Sequence, residues 1–84
     1  MSHVTIYSKS VCPYCVRAKA LFDKIGIAYN EVRIDLHEEK RDEMLQKSNG
    51  STTVPQIFIG DKHIGGCDEL YALHANGRLM KLLA

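Results

Sequence analysis

The spacing of apolar positions changes along the chain, and each change marks an element. Val4 and Ile6 alternate with Thr5 and Tyr7, a run of β-branched and aromatic residues with the two-residue period of a strand. Ser8 to Val11 carries no such period and reads as a loop. Beyond it, Ala18, Leu21, Phe22 and Ile25 fall at i, i+3, i+4 and i+7, the stripe of a half-buried helix. Pro13 suits the first position of that helix, where its missing N–H is no loss. Gly26 stands where a C-terminal cap is expected.

Ile27 to Asp35 places Val32 and Ile34 on one face and predicts a second strand. Glu38 to Lys47 is a charged surface helix, acidic early and ending in a lysine as the helix dipole prefers, with Met44 and Leu45 as its clearest apolar contacts. Asn49-Gly50-Ser51 breaks it. Gln56 to Ile59 is a third strand, Gly60-Asp61 a hairpin turn, and His63-Ile64 a fourth strand. Gly65-Gly66 interrupts the backbone, and Asp68 opens a helix that carries Leu70, Tyr71 and Leu73 and ends at Gly77. Leu79, Leu82 and Leu83 suggest a last helical turn on the core. The order is βαβαββα, an α/β fold: parallel first strands joined by a right-handed crossover, then an antiparallel hairpin. With 84 residues and no repeat, linker or low-complexity segment, residues 1–84 read as a single domain.

Composition changes this picture little. The chain is 45% hydrophobic and 25% charged, which fits a globular domain rather than disorder. Its net charge of +1 gives no reason to expect a nucleic-acid or membrane partner. No apolar run approaches the roughly 20 residues of a membrane span. The stretch Met1 to Tyr7 lacks the basic and apolar regions of a signal peptide, so the expected compartment is the cytoplasm. Thiols are kept reduced there, and a close cysteine pair is more often catalytic or metal-binding than structural. The cysteine count of 3 also argues against a disulfide framework.

The candidate chemistry is Cys12-Pro13-Tyr14-Cys15. It puts Cys12 at a helix N-terminus, where free N–H groups and the dipole favour an anion, and the thiolate is the reactive form. Cys15, one turn further in, is expected to be more buried, so Cys12 attacks and Cys15 resolves. Lys9 adds positive charge three residues before Cys12. The competing reading is half of a zinc site, which needs two further ligands. Cys67, His3, His37, His63 and His74 are available but form no second paired spacing, and no bound metal is expected.

Three segments, Cys12-Pro13-Tyr14-Cys15, Thr53-Val54-Pro55 and Gly65-Gly66-Cys67-Asp68, stand in the order and spacing of the glutaredoxins, and the whole chain resembles the dithiol branch of that family. The resemblance implies a thioredoxin-like fold, a four-stranded mixed sheet flanked by helices, and glutathione as reductant. It implies a cis proline at Pro55, facing the cysteines, with the Val54 backbone free to pair with the cysteinyl unit of glutathione as a short antiparallel strand. On the same ground the helix opened by Asp68 receives the γ-glutamyl carboxylate on its N–H groups, and Asp68 holds the ammonium. Gly65 and Gly66 permit close backbone approach. Lys9 takes the glycyl carboxylate and Tyr14 flanks the tripeptide. The substrate-binding set is thus Lys9, Tyr14, Thr53, Val54, Pro55, Gly66, Cys67 and Asp68. Asp68 as a plain helix cap and Lys9 as a solvated lysine remain the simpler readings.

Cys67 reads as a small buried hydrophobe, with glutathionylation or dimerisation as the weaker alternative. The expected partners are glutathione and disulfide-containing or glutathionylated proteins, acting on a monomer. Two other functions compete: an electron carrier fed by thioredoxin reductase, and an iron–sulfur carrier ligated by Cys12 and glutathione. The glutathione-type residues Lys9 and Asp68 argue against the first. The proline after Cys12 and the resolving Cys15 argue against the second.

Overall fold

A computed structural model describes residues 3–84. Met1 and Ser2, which begin the stretch read against a signal peptide, lie outside the described residues. The elements are β1 (Val4–Ser8), α1 (Pro13–Ile25), β2 (Asn30–Arg33), α2 (Glu38–Lys47), β3 (Gln56–Ile59), β4 (Lys62–Gly65), α3 (Cys67–Ala75) and α4 (Leu79–Leu83). The strands form one sheet in the order β2-β1-β3-β4. β1 runs parallel to β2 and antiparallel to β3, and β3 and β4 form the antiparallel hairpin. The mixed sheet expected from the sequence is therefore present, with β1 and β3 at its centre.

Alternation along the central strands sends side chains to two cores. On one face Val4, Ile6, Ile57 and Ile59 pack with Ala18, Leu21 and Phe22 of α1, Leu70 of α3, and Leu79 and Leu83 of α4. On the other, Tyr7 and Phe58 meet Met44 of α2 and Ile34. The Tyr7 and Phe58 rings touch edge to face at 5.6 Å. Tyr7, itself buried, donates its hydroxyl to Glu43 at 2.5 Å and so ties α2 to the sheet. Burial, then the Glu43 carboxylate, pushes the phenol well above its ordinary range. The hydrogen bond from Tyr7 holds the Glu43 carboxyl below its own.

Several boundaries differ from the sequence reading, each for a local reason. Ser8 belongs to β1, because its carbonyl accepts the Ile34 N–H at 2.9 Å. The second strand begins at Asn30, not Ile27. Gly26 closes α1 in the left-handed conformation, φ 76°, and the Ile27 N–H is spent on the Phe22 carbonyl at 2.9 Å. Gly65 continues β4 instead of breaking it. The helix after it starts at Cys67 with Gly66 as its cap, one residue before the expected Asp68, and ends at Ala75. The leucine-rich C-terminus folds as the separate short helix α4, an element added to the βαβαββα order.

α1 and α3 are fastened to each other. The Tyr71 hydroxyl donates to the Arg17 carbonyl at 3.0 Å, and the Arg17 guanidinium lies 5.2 Å from the Tyr71 ring centroid.

Candidate active site

Cys12 caps α1. Its backbone is extended, Pro13 follows as the first helical residue, and its Sγ accepts the Cys15 N–H at 3.2 Å. The sulfur thus occupies the place where a capping side-chain oxygen normally satisfies a free helix amide. A thiolate there gains from that N–H and from the helix dipole. Cys15 is the partner sulfur: the two residues are joined in a disulfide, with Cα atoms 5.2 Å apart. Cys12 is 8% exposed and Cys15 1%, so the inner sulfur is the more enclosed. Val11, at φ 52° and 94% exposed, turns the chain sharply into the cap. A β-branched residue is seldom found in that conformation, which is a mark of functional loops.

The segment before Cys12 is braced from β2. The Ser10 N–H donates to Asp35 at 3.1 Å, and Arg33 grips the same carboxylate with two N–H groups at 2.8 and 2.7 Å. These bonds, led by that from Arg33, hold the Asp35 carboxyl well below its ordinary range. A cleft of about 360 Å³ opens beside the disulfide, lined by Lys9, Cys12, Cys15, Lys19, Glu31 and Arg33 among others. Glu31 in it accepts from the buried Ser8 hydroxyl at 2.6 Å and from Lys19 at 2.9 Å, and those two bonds lower its carboxyl. With Glu31 and Asp35 engaged, Lys9 stands exposed at the cleft with no ion pair to either.

On another side of Cys12 lies the Thr53-Val54-Pro55 turn. The Val54–Pro55 bond is cis, and the Val54 carbonyl oxygen is 3.8 Å from Cys12 Sγ. Thr53 is exposed, Val54 half-buried and Pro55 buried. Gly66 packs against this turn: a Cβ on it would stand 3.4 Å from the Pro55 carbonyl oxygen. The Glu69 carboxylate accepts the Gly66 N–H at 2.7 Å and steadies the entrance to α3. Asp68 is exposed in the first turn of α3; it does not cap the helix, since Gly66 does. Cys67 is 4% exposed as a free thiol, and burial raises its pKa. Tyr14 is 55% exposed on the first turn of α1. The fold therefore gathers Cys12, Cys15, Val54, Pro55 and Gly66 directly, with Lys9, Tyr14, Thr53 and Asp68 exposed on the elements around them.

Sequence reading missed the polar residues behind these. The hydrophobic pattern places Ser8 in a loop and Glu31, Arg33 and Asp35 within the second strand, and it gives Lys19 no role. The pattern marks Gln56 only as a strand residue, although a glutamine opening the run Gln56-Ile57-Phe58-Ile59 is a signal in itself, and it is buried at 4%. Among the described residues no group of three or more His, Cys, Asp or Glu is arranged to hold a metal ion.

The family model Glutaredoxin matches residues 4–64. Glutaredoxin 3 of Escherichia coli strain K12 is 57% identical over 83 residues, covering 99% of each chain. A glutaredoxin of Pseudomonas aeruginosa is 49% identical over 84 residues, covering 100% of this chain and 99% of its own. Among solved structures, a buckwheat glutaredoxin in complex with glutathione superposes with a TM-score of 0.88 at 38% identity, over 98% of this chain and 76% of that one. The solution structure of a glutaredoxin from Brucella melitensis gives 0.84 at 49% identity, over 99% and 89%. The paired cysteines at the head of α1, the cis turn against them and these likenesses agree: the chain belongs to the glutaredoxin family.

Proposed function

We propose that this chain is a glutathione-dependent thiol–disulfide oxidoreductase acting on protein disulfides and protein–glutathione mixed disulfides, with Cys12 as nucleophile and Cys15 as resolving thiol. The observation that carries the reading is the Cys12 sulfur at the cap of α1, accepting the Cys15 N–H while within disulfide reach of Cys15. A thiolate so placed attacks the glutathionyl sulfur of a mixed disulfide. The protein thiolate leaves and takes a proton, and Cys12 holds the glutathionyl group. A second glutathione thiolate then attacks that sulfur, releasing oxidised glutathione and the Cys12 thiolate. On a protein disulfide, Cys12 forms the mixed disulfide instead. Cys15 loses its proton and attacks the Cys12 sulfur, giving the Cys12–Cys15 disulfide, which two glutathiones reduce. In both branches the rate depends on the attacking thiolate fraction and on the pKa of the leaving thiol.

Glutathione is held, in this reading, across Lys9, Tyr14, Thr53, Val54, Pro55, Gly66, Cys67 and Asp68. The Val54 carbonyl beside Cys12 supports backbone pairing with the cysteinyl unit. The exposed Lys9 ammonium suits the glycyl carboxylate. The amides of Cys67 and Asp68 suit the γ-glutamyl carboxylate, and the Asp68 side chain suits the ammonium. Cys67 contributes its backbone only, since its side chain is buried. The chain acts as a monomeric single domain in the cytoplasm. No helix among the described residues is long and apolar enough to cross a membrane.

The test is turnover of a glutathionylated peptide coupled to glutathione, in the parent and in Cys12→Ser and Cys15→Ser. The reading requires loss of activity in the first and retained deglutathionylation in the second. Equal loss in both overturns the single-cysteine branch, and turnover supported by thioredoxin reductase but not by glutathione overturns the choice of reductant.

A further inference from the structure

We propose that Gln56 and His63 form a positioning relay that orients the Val54 N–H toward the substrate, a role that rests on the glutathione reading of the Thr53-Val54-Pro55 turn. The starting observation is a buried polar side chain, Gln56, on the strand that leaves this turn. Its Nε2 donates to the Thr53 carbonyl at 3.0 Å and lies 3.3 Å from the Thr53 hydroxyl. Its Oε1 lies 2.6 Å from Nε2 of His63, on β4.

Donor and acceptor chemistry fixes the orientation of this chain of bonds. A carbonyl oxygen only accepts, so the Gln56 amide must turn its NH₂ toward Thr53 and its oxygen toward His63. An amide oxygen also only accepts, so His63 must carry a proton on Nε2. The neutral imidazole is thereby held in a single tautomer. The Phe58 ring, stacked on His63 at 4.9 Å and 28°, fixes the plane in which that proton is delivered.

The consequence for the site follows from peptide planarity. The Thr53 carbonyl and the Val54 N–H belong to one trans peptide unit and point in opposite directions. With its carbonyl drawn toward the buried Gln56 amide, the unit turns its N–H away from the core. The Val54 carbonyl stands 3.8 Å from Cys12 Sγ. Gln56 therefore sets the direction of one of the two Val54 backbone groups that an extended substrate would pair with. The Thr53 carbonyl opposes a flip of the Gln56 amide, which would set two carbonyl oxygens against each other, and His63 adds to that hold because a flip would also set the amide NH₂ against its Nε2–H. Neither residue touches the reacting sulfur, so the effect is on binding.

Variants at His63 test this without disturbing the core, because His63 is exposed on an edge strand. His63→Phe keeps a ring on Phe58 but removes the donor, His63→Gln restores a donor, and Gln56→Met keeps length without the amide. Steady-state kinetics with a glutathionylated peptide are expected to show KM raised about three- to tenfold in His63→Phe and Gln56→Met, the size of one net hydrogen bond, with kcat little changed and KM recovered in His63→Gln. Nitrogen-15 spectra of the reduced parent should place the His63 proton on Nε2. Unchanged KM in both variants, a fall in kcat at constant KM, failure of His63→Gln to recover KM, or a proton on Nδ1 would each overturn the relay. If the parent itself shows no glutathione turnover, the oxidoreductase reading fails. The relay is then decided by the His63 tautomer together with the Val54 amide shift, which must move in His63→Phe if the relay exists.

Discussion

Cys12 and Cys15 are bound twice: by the disulfide between their sulfurs and by the Cys15 N–H that donates to Cys12 Sγ at 3.2 Å. The second contact is a helix cap, a bond that a sulfur at this position can accept with or without the disulfide. It makes the cysteines unequal before any substrate arrives.

The first prediction concerns that inequality. In the reduced protein, iodoacetamide at neutral pH should modify Cys12 well ahead of Cys15, as read by peptide mass spectrometry. Cys12→Ser should lower turnover by more than about 10³-fold, as loss of a nucleophile does. Equal labelling of both cysteines would contradict the capped-thiolate geometry.

Cys67 gives a contrasting expectation. Its thiol is buried and its pKa raised by that burial, so it should remain unlabelled in the folded protein and react only on denaturation. Mild oxidation with oxidised glutathione should leave no adduct on it. Cys67→Ala should keep activity and cost about 1 kcal/mol, the usual scale for a small buried change. An adduct on Cys67 in the native protein would restore the regulatory reading.

The Tyr7–Glu43 bond makes stability depend on pH in a defined direction. The folded carboxyl of Glu43 titrates below its unfolded value, mainly because Tyr7 donates to it. Its contribution is complete above the unfolded glutamate pKa of 4.5 and is lost as the pH falls through the lower folded value. Tyr7→Phe should therefore lower Tm at pH 7 by about 4–8 °C, taking about 1 kcal/mol for the hydrogen bond. The parent and variant curves should converge as the pH drops below 4. Parallel curves down to pH 2 would show that the bond is not what holds α2 to the sheet.

Gly65 is held at φ 116°, and a Cβ there would meet Glu69 Oε1 at 2.8 Å and Cγ at 2.9 Å. Gly65→Ala should cost about 1–3 kcal/mol for the backbone conformation alone. Glu69 must also shift, which loosens its bond to the Gly66 N–H, so affinity for glutathione should fall together with stability. Thermal melts and a glutathione titration on the same sample check both. A variant as stable as its parent would show that the end of β4 can relax.

Much of the site could be read along the chain because its parts are local. A proline after a cysteine, an apolar stripe at i, i+3, i+4 and i+7, and a glycine past its end define α1 and place Cys12 at its head, as found. The charged α2 and the β3–β4 hairpin also appear where the pattern placed them. These depend on backbone dihedrals and on spacings of a few residues, which the sequence states directly. The boundary errors at Ile27 and Asp68 arose where closing a helix claims the amide or cap position that a neighbouring element was expected to use.

What joins distant segments was decided by tertiary structure alone. β3 lies antiparallel against β1, and Val54, 42 residues from Cys12, comes within 3.8 Å of its sulfur. The same packing sets Gly66 against Pro55, Gln56 between Thr53 and His63, and Glu31 between Ser8 and Lys19. Periodicity says which face of a strand is apolar, but not which strand lies beside it or which polar side chain must be satisfied once buried. By itself the sequence determined a reactive sulfur at a helix cap with a second sulfur one turn away. The sheet order β2-β1-β3-β4 decided what faces that sulfur, because only the folded chain brings the two halves of the site together.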